Sequence, residues 1–322
     1  MQSTIERILV CRPRGFCAGV SRAIEIVDRA LQLWGPPIYV RGEIVHNRRV
    51  VEDFKRRGVR FVDNPAAVPQ GAILIFSAHG VAPSVREEAV QRGLKLVDAT
   101  CPLVTKVHRE ARFLAEMGFS VLLIGHAGHD EVIGIEGEAG ERFHLITCID
   151  DARIVEVEDR QKVGFLCQTT LSVSEAEAIL AVLRQRFPAG ISPRAEDICY
   201  ATQNRQESVR EVAQRVDAFL IVGSANSSNS NRLREVAELV GARAYLIEDK
   251  TRLQPKWLEG VRRIGVSSGA SVPEFLVDEL VKFLKDLSGA VIEEIETAAE
   301  NVSFLLPVQL LAPKPALAAS GA

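Results

Sequence analysis

The chain has 322 residues, 47% apolar and 25% charged, enough to bury a large core and to form about two or three folding units. Lysine and arginine total 39 against 42 acidic residues, a net charge of -3. That balance leaves no electrostatic footprint for nucleic acid or a membrane surface, so a charged partner must be bound locally.

The opening MQSTIERILVCRP holds no apolar segment long enough for a secretory signal, and no window approaches the roughly 18 apolar residues of a membrane span. A cytoplasmic monomer is the expectation. Six cysteines are too sparse for a disulfide scaffold, so any special cysteine reads as a metal ligand or reactive group.

In chain order, short β-rich runs alternate with longer amphipathic stretches, which predicts an α/β fold with mostly parallel sheets. Three sets of four runs emerge. The first is ILVC (8–11), PIYV (37–40), RFVD (60–63) and ILIFSA (73–78). The second is LKLVDA (94–99), VLLIG (121–125), FHLIT (143–147) and VGFLC (163–167). The third begins with a weak strand before Cys199 and continues with AFLIVG (218–223), AYLIE (244–248) and RIGVSS (263–268). The expected units are 18–100, 101–196, and 1–17 joined to 197–300, followed by an extension over 301–322. The tail LLPVQLLAPKPALAASGA has neither helical nor strand period and is expected to be mobile and dispensable.

Each set places polar residues just past the carboxyl ends of its strands. Cys17, Cys101 and Cys199 come first. His46, His129 and the cluster Ser227, Ser228, Asn229 follow at a near-constant interval, and His79, Thr169 and Ser271 come after the last strands. Parallel α/β sheets bind ligands at those ends, where helix N-termini converge. Three pseudo-equivalent units around one axis would point these residues into one cavity.

Cys11, Cys148 and Cys167 lie in apolar strand patterns and read as core. Cys17 in PRGFCAGV, Cys101 in DATCPLV and Cys199 in EDICYAT sit at strand-to-helix junctions, where a helix N-terminus lowers a thiol's pKa and suits metal ligation. No C-x-x-C spacing is present. On the residues alone two metals fit equally: a 4Fe-4S cluster on three cysteines with an open fourth iron, or zinc with three cysteines and one histidine. His108 and His144 read as structural, and Arg14, Arg22, Lys106 and Arg205 as surface or helix-cap charges.

The ordered motifs PRGFCAGVSRAIEIV, YVRGEIVHN, IFSAHGV, DATCPLVTKVH, IGHAGHDEV, QTTLS, DICYATQNRQ, VGSANSSNSNRL, GVSSGAS and ENVSFLLP resemble those of the 4-hydroxy-3-methylbut-2-enyl diphosphate reductases, the LytB family. The resemblance implies a trefoil of three α/β units around a central 4Fe-4S cluster held by Cys17, Cys101 and Cys199, with the fourth iron open. It implies that His46, His79, His129, Ser227, Ser228, Asn229 and Ser271 surround a substrate diphosphate, with Glu131 and Thr169 near the substrate hydroxyl. The implied reaction is two-electron reductive dehydroxylation to isopentenyl and dimethylallyl diphosphate, the last step of the methylerythritol phosphate route to isoprenoids. Electrons would come from a ferredoxin or flavodoxin.

Two departures stand out. HDEVIGI carries Asp130 where the family usually has proline and Ile135 where it has threonine, and Asp130 is expected to help raise the pKa of Glu131. Cys167 also replaces a more usual threonine or serine. For the diphosphate, no G-x-x-x-x-G-K-[ST] loop is present. GSANSSNSN, which by itself reads as a serine-rich loop with an N-cap, supplies neutral donors at a helix start instead.

Overall fold

The computed structural model describes residues 4–192 and 197–311. Three sheets, all of whose strand pairs are parallel, organise it. The chain enters with β1 (Arg7–Arg12) and α1 (Ala18–Trp34). Helix α1 turns Ala23, Ile26, Val27 and Ala30 inward, the spacing of one helical face.

The first sheet takes β2 (Ile38–Arg41), β3 (Val59–Val62), β4 (Ile73–Phe76) and β5 (Lys95–Asp98) in the order β3-β2-β4-β5, with α2 (Arg48–Arg56) and α3 (Pro83–Gln91) between them. After α4 (Pro102–Glu116), the second sheet takes β6 (Ser120–Ile124), β7 (Phe143–Ile146) and β8 (Val163–Cys167) as β7-β6-β8. Helices α5 (Asp130–Ala139), α6 (Ile149–Ile154) and α7 (Val173–Arg186) accompany it.

Helix α8 (Tyr200–Ala213) leads into the third sheet through β9 (Ala218–Val222), α9 (Ser228–Leu239), β10 (Arg243–Ile247), β11 (Arg263–Ser268), α10 (Glu274–Ser288) and β12 (Val291–Glu296). Its order is β10-β9-β11-β1-β12. The strands SVLLI, VGFLC and AFLIV are buried at every position, as parallel strands covered on both faces must be.

The three sets of four regroup as sheets of four, three and five strands. β1 pairs with β11 and β12, so ILVC belongs to the third sheet, and LKLV pairs with β4 in the first. The place expected for a weak strand before Cys199 is taken by β1. Ile191 forms only an isolated bridge to Gly164, and 193–196 lie outside the described residues. β12 was not foreseen, because VIEEIE is an exposed edge strand that carries three glutamates. The start of the tail is also packed rather than loose: Leu310 is 1% exposed and joins Leu306 against the core of the first sheet. Arg22 Nε donates to the Leu305 carbonyl (2.8 Å). Residues 312–322 lie outside the described residues.

Candidate active site

Each sheet reverses its strand order at one place, between β2 and β4, between β6 and β8, and between β9 and β11. Ligands bind in α/β proteins at such switch points, where two neighbouring loops diverge and leave a crevice. The predicted polar residues lie just past these six strands: His46 and His79, His129 and Thr169, then Ser227 to Asn229 at the start of α9, and Ser271. Together with Cys17, Cys101, Cys199 and Glu131 they line one cavity of about 100 Å³. The cavity thus gathers every residue that the motifs single out for the site.

The cysteines repeat one local geometry. Cys17, Cys101 and Cys199 are the N-cap residues of α1, α4 and α8, and none spends its side chain on capping. Each donates its backbone N–H to a loop just past another switch-point strand: Cys17 to the Ala270 carbonyl (3.1 Å), Cys101 to Ala78 (3.0 Å) and Cys199 to Thr169 (3.1 Å). One hydrogen bond repeated three times therefore closes the ring. Gly19 leaves room for the sulfurs, since a Cβ there would meet Cys101 Sγ at 2.6 Å and Cys17 Sγ at 4.0 Å.

Burial pushes the Cys101 thiol up to about 12 and Cys199 to about 11, and Cys17 adds to both. This corrects the expectation of depressed values: removal from water outweighs the helix termini. Three cysteine sulfurs facing one space suit a cationic centre, which would bind them as thiolates. Cys11 and Cys167 are core residues as read, but Cys148 is exposed at the N-cap of α6, beyond the apolar strand.

The carboxyl of Glu131 is 1% exposed and held by a single residue. Thr169 donates its N–H to Oε1 (2.8 Å) and its hydroxyl to Oε2 (3.0 Å). Burial, with Asp197 adding to it, raises the Glu131 pKa to about 7. Asp130 has no part in this, contrary to expectation, because its carboxylate turns to Arg41 Nη1 (2.9 Å) at the end of β2. Ile135 is fully buried with Val107, Leu123 and Val132, so an apolar side chain is accommodated there as core.

His46 and His79 stack with ring centroids 3.9 Å apart, and His129 meets them edge-on at 5.5 and 5.9 Å. Burial and mutual repulsion hold His79 well below its ordinary pKa and bring His129 to about 4. An anion among the rings would reverse that trend. Both amide atoms of Asn229 are buried without a partner, an unmet demand that a ligand can satisfy. The other loop hydroxyls are engaged. Ser227 caps α9 by accepting the Ser230 N–H (3.3 Å), Ser228 accepts from the Thr170 hydroxyl (3.1 Å), and Ser271 donates to the His46 carbonyl (2.9 Å).

Some arginines read as surface charges are internal staples instead. Arg205 is 0% exposed, donating to the Gly15 and Ala201 carbonyls (2.9 and 3.0 Å) and to Glu300 (2.9 Å). The side chain of Arg14 is 6% exposed among Glu274, Asp278 and Glu294, Arg22 donates to the Thr100 carbonyl (3.0 Å), and Lys106 pairs with the buried Asp197 (3.0 Å). His108 is structural as read, wedged where a Cβ on Gly80 or Gly134 would meet its ring at 2.8 or 2.6 Å. His126 does not line the cavity; its N–H donates to Gln168 Oε1 (3.0 Å). His144 is part-buried on β7. Thr170 and Thr202 line the cavity but were missed. Thr170 stood within the quoted QTTLS and Thr202 within DICYATQNRQ, the only signal available.

The family model described as LytB protein matches residues 8–285. This chain belongs to the LytB family. It is 52% identical over 308 residues to a 4-hydroxy-3-methylbut-2-enyl diphosphate reductase of Aromatoleum aromaticum, covering 96% of this chain and 99% of that protein. A reductase of the same name from Acidothermus cellulolyticus is 52% identical over 305 residues, 94% of this chain and 90% of that protein. Among solved LytB-type structures, the E-1-hydroxy-2-methyl-but-2-enyl-4-diphosphate reductase of Plasmodium falciparum matches with a TM-score of 0.93 at 36% identity, covering 95% of this chain and 97% of that one. The α/β trefoil expected from the motifs is therefore the fold of this chain.

Proposed function

We propose that the chain reduces 4-hydroxy-3-methylbut-2-enyl diphosphate to isopentenyl and dimethylallyl diphosphate with loss of water. The observation that carries this reading is the pairing, in one cavity, of a buried carboxyl bonded to Thr169 with three N-cap thiols that make no capping bond. A site that only bound an anion would gain nothing from Glu131, which a diphosphate repels when ionised.

The donor set fits an iron–sulfur cluster: three thiols, and a glycine whose Cβ would fill their space. Cys17, Cys101 and Cys199 would hold it. When bound, such a cluster supplies electrons one at a time and a Lewis-acidic iron beside the substrate oxygen. The protein's own groups then divide the remaining work. Asn229, with its unpartnered amide, and the histidine trio receive the diphosphate, and Ser227, Ser228 and Ser271 hold the loops that present them. The terminal hydroxyl points toward Glu131, whose raised pKa keeps a proton available near neutrality. Thr169 orients that carboxyl and relays its proton to the departing oxygen. The allyl fragment left behind takes a proton at either end, which gives two isomeric products.

A small electron-carrier protein, a ferredoxin or flavodoxin, supplies the two electrons. The test is single-turnover product analysis under anaerobic conditions with a chemical reductant. Both isomers should form in step with substrate loss, whereas intact substrate with a reduced, metal-loaded protein would refute the assignment.

A further inference from the structure

Glu43 stands just past β2, in the loop that carries His46, yet none of the chemistry above uses it. A single oxygen serves two partners in different sheets. Glu43 Oε2 lies 3.3 Å from His46 Nδ1 and accepts a hydrogen bond from Asn226 Nδ2 at 2.9 Å, where Asn226 belongs to the loop between β9 and α9. The same contact zone is pinned twice more, by the Ser271 hydroxyl on the His46 carbonyl (2.9 Å) and by the Arg48 N–H on Ser224 Oγ (3.2 Å).

The three histidines differ in what meets their Nδ1 atoms. His129 Nδ1 accepts the Glu131 N–H (3.1 Å), and His79 Nδ1 faces the Ser77 hydroxyl (3.4 Å). Only at His46 is the neighbour on the ring nitrogen a carboxylate. The partner of one ring nitrogen decides what the other can do. With Nδ1–H directed at Glu43, a neutral ring would offer a lone pair at Nε2, which repels a phosphate oxygen; a doubly protonated ring donates on both sides. We propose that Glu43 is a positioning residue for the diphosphate site, holding His46 as its charged donor and fastening the Asn226 loop across the cavity mouth.

The surrounding charges are compatible with that role. His79 stacks on His46 and His129 meets it edge-on, and both are disfavoured as cations. Asp130, which also lies near His46, is paired with Arg41. His46, ahead of Asn226 and Lys55, holds the Glu43 carboxyl below the usual range. Of the three rings, His46 is thus the one with a carboxylate at its back.

The inference rests on the diphosphate reading, so the probe is inorganic pyrophosphate, titrated calorimetrically into anaerobic, cluster-loaded protein. Glu43→Gln keeps an acceptor for Asn226 but removes the charge, and Asn226→Ala does the converse. For Glu43→Gln, pyrophosphate affinity should fall about tenfold to a hundredfold with a matching rise in KM, while kcat stays within about threefold. The loss of binding on raising pH should move to lower pH, because an imidazolium without its carboxylate gives up its proton sooner. Asn226→Ala should weaken binding while leaving that pH position where it is in the wild type. Unchanged affinity in Glu43→Gln, or a loss with no pH displacement, overturns the inference alone. Failure of the wild type to bind pyrophosphate overturns the diphosphate reading and this inference with it.

Discussion

Replacing Glu131 by glutamine probes the proton donor while keeping its size. Oε1 still accepts the Thr169 N–H, and the hydroxyl of Thr169 can turn to accept from the new amide, so rearranging this contact costs about 1 kcal/mol at most. Turnover should fall about a hundredfold to ten-thousandfold, the range for a lost general acid, equivalent to about 3 to 5 kcal/mol in the barrier. Stability should respond differently. Burial raises the Glu131 pKa from 4.5 to about 7, so the fold favours the neutral carboxyl. That contribution is complete below the unfolded value and is lost as pH rises through the folded one. At 1.36 kcal/mol per pKa unit the loss is about 3 kcal/mol. In metal-free protein, chemical denaturation should thus show the wild type weakening between about pH 4.5 and 7 relative to Glu131→Gln, which has no such decline. Steady-state turnover of cluster-loaded protein completes the pair of assays. Near-normal turnover in a folded, loaded Glu131→Gln protein would refute the proton-donor role.

Asn229→Ala should raise KM about ten- to 150-fold, as expected for a donor lost to a charged group, read by steady-state kinetics. Ser227→Ala should also cost about 1 kcal/mol of stability, because its hydroxyl caps α9; unfolding curves separate the two effects. Breaking the Arg41–Asp130 pair with Asp130→Asn should leave the pH dependence of turnover tied to Glu131 unchanged, since Asp130 does not act on that carboxyl; a displaced profile would contradict this. Truncation after 311 should leave the melting temperature within about 2 °C of the intact chain, whereas removing the buried Leu310 and the partly buried Leu306 as well should lower it by several degrees, because fully burying a leucine contributes about 1.5 to 3 kcal/mol.

What was legible in the sequence follows from the range of the interactions involved. Continuous apolar runs such as ILIF and AFLIV announce buried parallel strands locally, and polar residues just past them announce the ligand-binding end. Sheet membership is not local. β1 and β12 come from opposite ends of the chain and meet only in the folded sheet, paired from Arg7 against Val291 onward. The burial of Arg205 was hidden for the same reason, because its partners Gly15 and Glu300 are remote in sequence. Charge proximity along the chain misled at Asp130, whose side chain leaves Glu131 for Arg41. A helix N-terminus misled at the cysteines, where burial dominates.

The three thiols carry the central claim, and iron and sulfide analysis of anaerobically purified cysteine variants tests it most directly. The wild type should be brown, with broad absorption near ~400 nm and about four irons and four sulfides per chain. Cys17→Ser, Cys101→Ser and Cys199→Ser should each lose most of both, while Cys11→Ser, Cys148→Ser and Cys167→Ser keep them. A colourless, zinc-containing wild type, or loss of iron in Cys148→Ser with retention in Cys101→Ser, would contradict the account.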